Sequence, residues 1–424
     1  MLDFKFIKEN KNWIIENCQA RNVTVDIDSI VNMIDQRAQL IAEVDELRRQ
    51  QNQNAQQIKQ CKSQVERQPF INKGAELKQV EKSKANELET FLVRLHEEAA
   101  KIPNMTHPDV PIGATEEDNK ELRRRGEPIH FNFPPKDHLQ LGKDLDLIDF
   151  ETGAKVTGRA FYYLKNQAVL LEFGLIRLAL DILLEKGYTP IITPDLAKPE
   201  VLAGIGFNPR GEETQVYSLS NANLCLIGTA EITLGGMLAN TLIDEQDLPI
   251  KLCGISHCFR TEAGAHGRVS KGLYRVHQFT KVEMFVFTKP EDSETMHEEL
   301  VGIEEQIFGD LEIPFRVMDI CTGDLGAPAY RKYDLEAWMP GREVETKWGE
   351  ITSTSNCTDY QSRRLEIRYR SRDGKTKDYV HMLNGTAVAI SRALIALLEC
   401  HQQADGSVRI PKKLVPYVGF EEIR

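Results

Sequence analysis

From Ile30 to Val65 one set of positions recurs at alternating steps of three and four: Ile30, Met33, Arg37, Leu40, Val44, Leu47, Gln51, Asn54, Ile58, Cys61, Val65. This is the narrow stripe that one helix offers to a single partner helix, and a strand cannot use it. Pro69 and Gly74 are expected to break the helix. A second stripe follows, Leu77, Val80, Leu88, Leu92, Leu95, Ala99 and Ile102, with Lys84 interrupting it. Two long helices around a short break fold back as an antiparallel hairpin. At the α-helical rise, residues 30–65 would span roughly 50 Å. So narrow a seam buries little, and the arm is expected to stand away from the body. Residues 3–20 predict one further short helix.

Charge gives the arm a direction. Lys59, Lys62, Arg67, Lys73, Lys78, Lys82 and Lys84 outnumber Glu66, Glu76 and Glu81, in a chain whose net charge is -11. A solvated coiled-coil face, a protein-binding or dimerising arm, and a contact with a phosphate backbone all fit this pattern. The acidic total leaves nucleic acid only a local basic patch. The eight cysteines form no CxxC pair, which fits free thiols in a reducing compartment and gives no reason to expect a structural zinc. No apolar run is long enough to span a membrane, and MLDFKFIKENKNW has no apolar core of a signal peptide.

At 424 residues there is room for a second domain with its own core. Periodicity vanishes over 104–138, which reads as a linker or a packed irregular segment; the Arg123, Arg124, Arg125 cluster within it reads as structural. An apolar helix over 168–186, ended by Gly187, precedes TPIITPDL. Pro194 inside that run marks an edge or interface strand. The helix and strand suit a dimer interface and packing within one subunit equally.

Cys258 to Phe287 predicts two strands around a polar, basic loop, AGAHGRVSKGLYR. By the two-residue period, Arg260 and Glu262 share a face of the first strand, and Phe279, Lys281 and Glu283 share a face of the second. That face suits an anionic, planar, amine-bearing ligand, and equally a solvated surface. Gly228-Thr229-Ala230-Glu231 could line a small polar ligand or start a capped helix. In ETKWGEITSTSN, Glu350 and Thr352 are expected on one face, with Ile351 and Ser353 on the other, unless the strand bulges. Its oxygens are of the type Mg²⁺ prefers. HMLNGTAVAISR predicts a strand, a glycine-assisted turn and a helix. Arg392 then stands near a helix N-terminus, as an anion binder or as a snorkelling side chain. No phosphate-loop or dinucleotide fingerprint is present.

Taken in order, FRTE with RVHQFTKVE, GTAE, EITSTSN, and NGTAVAISR with GSVRIPKKLVPY, behind a heptad arm and THPDVPIG, resemble the seryl-tRNA synthetases, class II aminoacyl-tRNA synthetases. The resemblance spans the chain. It implies an α+β protein: an antiparallel two-helix coiled-coil arm, then a class II domain on a mainly antiparallel sheet flanked by helices. The implied division is a tRNA-binding domain over 1–103 with its arm at about 30–102, a linker over 104–138, and a catalytic domain over 139–424. The implied reaction activates L-serine with ATP to seryl-adenylate and transfers the seryl group to tRNA(Ser), with selenocysteine tRNA as a further candidate acceptor. Mg²⁺, a homodimer, no membrane, and a cytoplasmic location (or an organellar matrix after removal of a presequence) are implied as well.

Residue roles are likewise those the resemblance implies. Arg260 and Arg392 are catalytic. Arg260 clamps the α-phosphate and the serine carboxylate, and Arg392 covers the γ-phosphate and one face of adenine. Glu262 holds the adenine amino group, Phe279 stacks on the base, and Arg275 touches the phosphates. Thr261, Val276, Ile351 and Thr352 complete the ATP site, and Glu350 and Ser353 hold Mg²⁺. Thr229, Ala230, Glu231, Glu283, Asn384 and Thr386 join Arg260 around serine. Two departures stand out. LAGIGFNPRGEETQVYSL, Leu202 to Leu219, replaces the usual GTGQ phrase and leaves the closing loop open. Thr354 replaces a usual cysteine, which is expected to be a neutral packing change. The basic tip of the hairpin is expected to order over ATP or the tRNA end.

Overall fold

The computed structural model describes residues 1–207, 215–262, 272–342 and 346–424. They form two compact units, Met1–Met105 and Thr106–Arg424.

The first unit is helical. The stretch expected as one short helix is two, α1 (Phe4–Glu9) and α2 (Lys11–Ala20), divided at Asn10. The arm pairs α3 (Ile27–Gln60) with α4 (Gln64–Ala99). The seam faces inward: Ile30, Met33, Val44 and Asn54 are buried, and Ile58 and Cys61 half-buried. It stops there. The break lies at Cys61–Ser63 rather than at Pro69 and Gly74, because Ser63 caps α4. Its hydroxyl accepts from the Glu66 N–H, and the Glu66 carboxylate accepts from the Lys62 N–H. This Ser-x-x-Glu exchange satisfies otherwise orphaned amides and sets the turn. Val65 therefore lies in the first turn of the return helix and is 84% exposed. Pro69 is accommodated within α4. Gly74 lets Asn54 approach, since a Cβ there would meet the Asn54 amide nitrogen at 3.0 Å. Val80 also faces out, while Lys84 and Glu81 reach across to Glu43 and Arg48.

The second unit is built on one eight-stranded sheet. Its strands are β1 (Lys120–Arg125), β2 (Thr189–Ile192), β3 (Ile250–Phe259), β4 (Gln278–Thr288), β5 (Phe315–Asp319), β6 (Arg331–Trp338), β7 (Trp348–Asn356) and β8 (His381–Ala389). The spatial order is β1-β5-β6-β7-β8-β4-β3-β2, antiparallel throughout except for the parallel pair of β2 with β3. The segment over 104–138 thus carries an edge strand. Its arginines are structural: Arg123 pairs with Glu305, and Arg124 pairs with Glu121 at 2.8 Å and lies over Trp348. At the opposite edge, β2 ends before Pro194, and it is Pro190 that the edge position tolerates.

Helices α5 (Gln167–Glu185), α8 (Ser293–Asp310) and α10 (Ile390–His401) cover the sheet around the main core. A second apolar cluster collects residues of α6 (Pro199–Ile205), α7 (Glu231–Gly236) and α9 (Tyr360–Leu365) with Phe285, Phe287 and Met382. Strand β8 runs straight into α10 with no turn. Gly385 lies mid-strand, where a Cβ would meet the Thr354 hydroxyl at 2.8 Å and the Glu304 carboxylate at 3.2 Å.

Candidate active site

Strands β4, β7 and β8, the first turn of α10 and Arg260, just beyond the end of β3, surround a polar cleft of about 250 Å³. On β4 the two-residue period operates as expected: Phe279, Lys281 and Glu283 all line the cleft. Glu283 lies opposite Gly254 on β3 and Thr386 on β8, and the Thr386 hydroxyl donates to it at 3.3 Å. On β7 the period is broken. Leu335 faces Thr352 and Glu336 faces Glu350, so Ile351 is an extra, bulged residue. A bulge reverses the parity of side chains beyond it. Glu350 thereby joins Ser353 and Ser355 at the cleft, whereas Thr352 and Thr354 donate to Glu304 behind the sheet. The unbulged pairing of Glu350 with Thr352 on one face is therefore corrected. The Thr354 hydroxyl serves a buried carboxyl group, that of Glu304.

Arg260 and Glu262 are brought together without a strand, since β3 ends at Phe259 and Glu262 has a φ of +54°. The Arg260 Nε donates to the Gly228 carbonyl at 3.3 Å, and its guanidinium lies 5.4 Å from the Phe279 ring centre. Glu262 pairs with Arg275 at 3.3 Å. Arg392, the third residue of α10, faces no glycine turn. It pairs with the Glu350 carboxylate at 2.9 Å and lies 4.8 Å from the Tyr274 ring centre. Withdrawal from water opposes ionisation of Glu350, but Arg392, Lys332 and Arg260 outweigh it and hold the carboxyl below its ordinary range.

Thr229, Glu231, Asn384 and Thr386 gather at the other part of the cleft. Burial, and then the charge of Glu283, push Glu231 up to about 7 against the opposing effects of Gln361, Lys281 and Arg260. Val276 lines the cleft, and Ile351 and Thr352 border it from strand β7. Two expected residues do not line it. Thr261 is held through its N–H by the Gln215 carbonyl at 3.1 Å, and Ala230 is packed in the second apolar cluster. The basic hairpin tip falls largely on 263–271, part of the variant Leu202–Leu219 segment on 208–214, and Glu345 on 343–345; these lie outside the described residues.

Residues 1–106 match the seryl-tRNA synthetase N-terminal domain, and residues 216–401 match the class II tRNA synthetase core domain of the G, H, P, S and T group. The serine–tRNA ligase of Treponema denticola is 56% identical over 423 residues, spanning 100% of both chains. That of Rubrobacter xylanophilus is also 56% identical, over 100% of this chain and 99% of its own. This chain belongs to the seryl-tRNA synthetase family. Its fold agrees with that of the seryl-tRNA synthetase from Pyrococcus horikoshii complexed with ATP, at a TM-score of 0.90 and 40% identity over 100% and 99% of the two chains. Like other members of the seryl-tRNA synthetase family, it is an aminoacyl-tRNA ligase with a class II sheet.

Within this seryl-tRNA synthetase cleft, sequence reasoning passed over several residues. Lys281 lies between Phe279 and Glu283 on the lining face, 6% exposed, paired with Glu283 and donating to the Thr386 hydroxyl at 3.3 Å. Strand alternation alone marked it. Tyr274, under Arg392, carried no such signal, and neither did Asp334, which does not itself line the cleft but lies across from Ser353, which does; each depends on contacts far away in sequence. Asp334 is raised to about 6 by burial, against the attraction of Lys332.

Proposed function

We propose that this chain activates L-serine with ATP to seryl-adenylate and transfers the seryl group to tRNA(Ser), using the cleft on β4, β7 and β8. The observation that carries this is the convergence there of Arg260, Phe279, Glu350 and Arg392 with the buried polar set Thr229, Glu231, Glu283 and Thr386. An arginine beside an aromatic ring suits a nucleotide, and the buried carboxylates suit an ammonium group.

The charges of the cleft neutralise one another: Arg392 with Glu350, Arg275 with Glu262, Lys281 with Glu283. Substrates exchange these partners rather than creating new charges. Arg260 takes the α-phosphate and the serine carboxylate, and so brings nucleophile and electrophile together. The carboxylate oxygen attacks the α-phosphorus and pyrophosphate leaves. Glu262, freed from Arg275, accepts from the adenine amino group while Arg275 turns to the phosphates. Phe279 stacks on the base and Arg392 covers the γ-phosphate. Thr229, Glu231, Glu283, Asn384 and Thr386 bind the serine ammonium and hydroxyl groups.

Among the described residues no group of three or more His, Cys, Asp or Glu could hold a metal alone. Mg²⁺ commonly binds through one or two protein oxygens plus substrate phosphates, which is what Glu350 and Ser353 offer. When bound, the ion neutralises phosphate charge. Thr261 and Ala230 support the ATP and serine sites from behind.

The first unit, with its arm, is the tRNA-binding domain, and the exposed lysines of the arm contact phosphates. The proposed division is 1–103 for tRNA binding, 104–138 as a connection that also supplies the edge strand β1, and 139–424 for catalysis. A homodimer covers Phe173, 65% exposed on α5, and Ile192, 83% exposed on β2. No helix among the described residues is long and apolar enough to cross a membrane, and the proposed location is the cytoplasm.

ATP–pyrophosphate exchange with serine, alanine and threonine tests this reading. Exchange should depend on serine, and its absence sinks the assignment. Arg260→Ala should lower exchange by about 10²–10³-fold or more with the fold intact; near-normal exchange refutes the role of Arg260.

A further inference from the structure

Gln361, on α9, is fully buried and does not line the cleft. Its amide nitrogen donates to Glu231 Oε1 at 2.8 Å and to the Ile205 carbonyl at 2.9 Å. Asn384 donates to the same Glu231 oxygen at 3.0 Å. One oxygen of Glu231 is thus held twice, and neither amide takes the other oxygen. Gln361 does this at a cost: its own carbonyl oxygen is buried without a hydrogen-bond partner. A buried acceptor left unpaired is destabilising, so packing alone does not account for this residue.

Its second partner extends the connection. Ile205 ends α6, and Phe207, two residues on, lines the cleft. Helices α6 and α9 are closely joined: Arg364 donates to the Ala203 carbonyl at 2.9 Å, and a Cβ on Gly204 would meet Leu365 at 2.4 Å. One amide therefore ties Glu231 to the segment that carries Phe207.

We propose that Gln361 is a positioning residue for serine selection: it fixes Glu231 by one carboxylate oxygen, presents the other to the substrate, and sets that carboxylate relative to α6. This rests on the reading of Glu231 as a serine ligand. The two amide donors also favour the anionic form of Glu231, the form that receives an ammonium group.

The test is serine-dependent ATP–pyrophosphate exchange by the full-length protein across pH, in the wild type, Gln361→Met and Gln361→Glu. Gln361→Met keeps the length but cannot donate. It should raise the KM for serine about tenfold or more while leaving the KM for ATP unchanged. The acid limb of kcat/KM for serine should move to higher pH. Gln361→Glu keeps the volume and adds a second carboxyl beside Glu231. Its kcat/KM for serine should fall with rising pH where the wild type is flat, because the two carboxyls cannot both ionise without repulsion. A packing role would instead depress use of both substrates together and leave both profiles in place. Unchanged serine KM and pH profiles in folded variants overturn the proposal. If Gln361→Met does not fold, Gln361→Glu decides alone. A wild type without serine-dependent exchange is a separate result, which removes the parent reading of Glu231.

Discussion

On the arm, Arg48 meets Glu81 at 3.0 Å with 57% and 19% of their side chains exposed. In the sheet, Lys281 meets Glu283 with 7% and 2% exposed. The partners are alike in kind and opposite in circumstance. The arm pair sits in high dielectric, where attraction and hydration nearly cancel. The sheet pair has lost its water, so each charge depends on the other and on Thr386. The arm therefore carries charge as a surface that many residues share, whereas the cleft concentrates it in a few residues whose loss is not compensated.

The largest test of this contrast removes the arm. Deleting residues 36–96 should abolish charging of tRNA(Ser) while sparing serine-dependent pyrophosphate exchange, with both assays run on the same preparation. Surviving charging would show that the arm's surface is not used. Next, Lys281→Met leaves Glu283 buried without its cation and should destabilise the fold by about 3–5 kcal/mol in chemical denaturation. A loss as small as that of an arm pair would erase the distinction.

Glu304 offers a third test. It is 1% exposed, held by Thr352 and Thr354, and burial raises its pKa well above the ordinary 4.5. The folded chain thus holds this proton more tightly than the unfolded one. The stabilisation is complete below 4.5 and is lost as pH rises toward the folded value. Glu304→Gln removes that loss. The variant should gain on the wild type above 4.5 by at most about 1.4 kcal/mol per pH unit, read from denaturation midpoints at several pH values. A gap that does not change with pH would show that Glu304 is ionised in the fold. The smallest effect belongs to Arg48→Ala, expected to cost no more than about 1 kcal/mol and to shrink further in salt.

The elements that followed their local period were legible from residues alone: the heptad seam from Ile30 to Cys61, and Phe279, Lys281 and Glu283 on one strand face. Errors arose where one residue altered the period. Ser63, by capping, moved the hairpin turn ahead of Pro69, and Ile351, by bulging, brought Glu350 round beside Ser353. Gly385 read as a turn but is a point of close approach to Glu304.

The sequence by itself determined the two architectures, the cluster of charged motifs and the family, because periodicity and motif order are properties of neighbouring residues. Tertiary structure alone decided which charges are withdrawn from water. Gln361 meets Glu231, and Thr354 meets Glu304, only because helices distant in the chain pack against the sheet. Desolvation depends on what covers a group, and nothing in a group's own stretch of chain states what that will be.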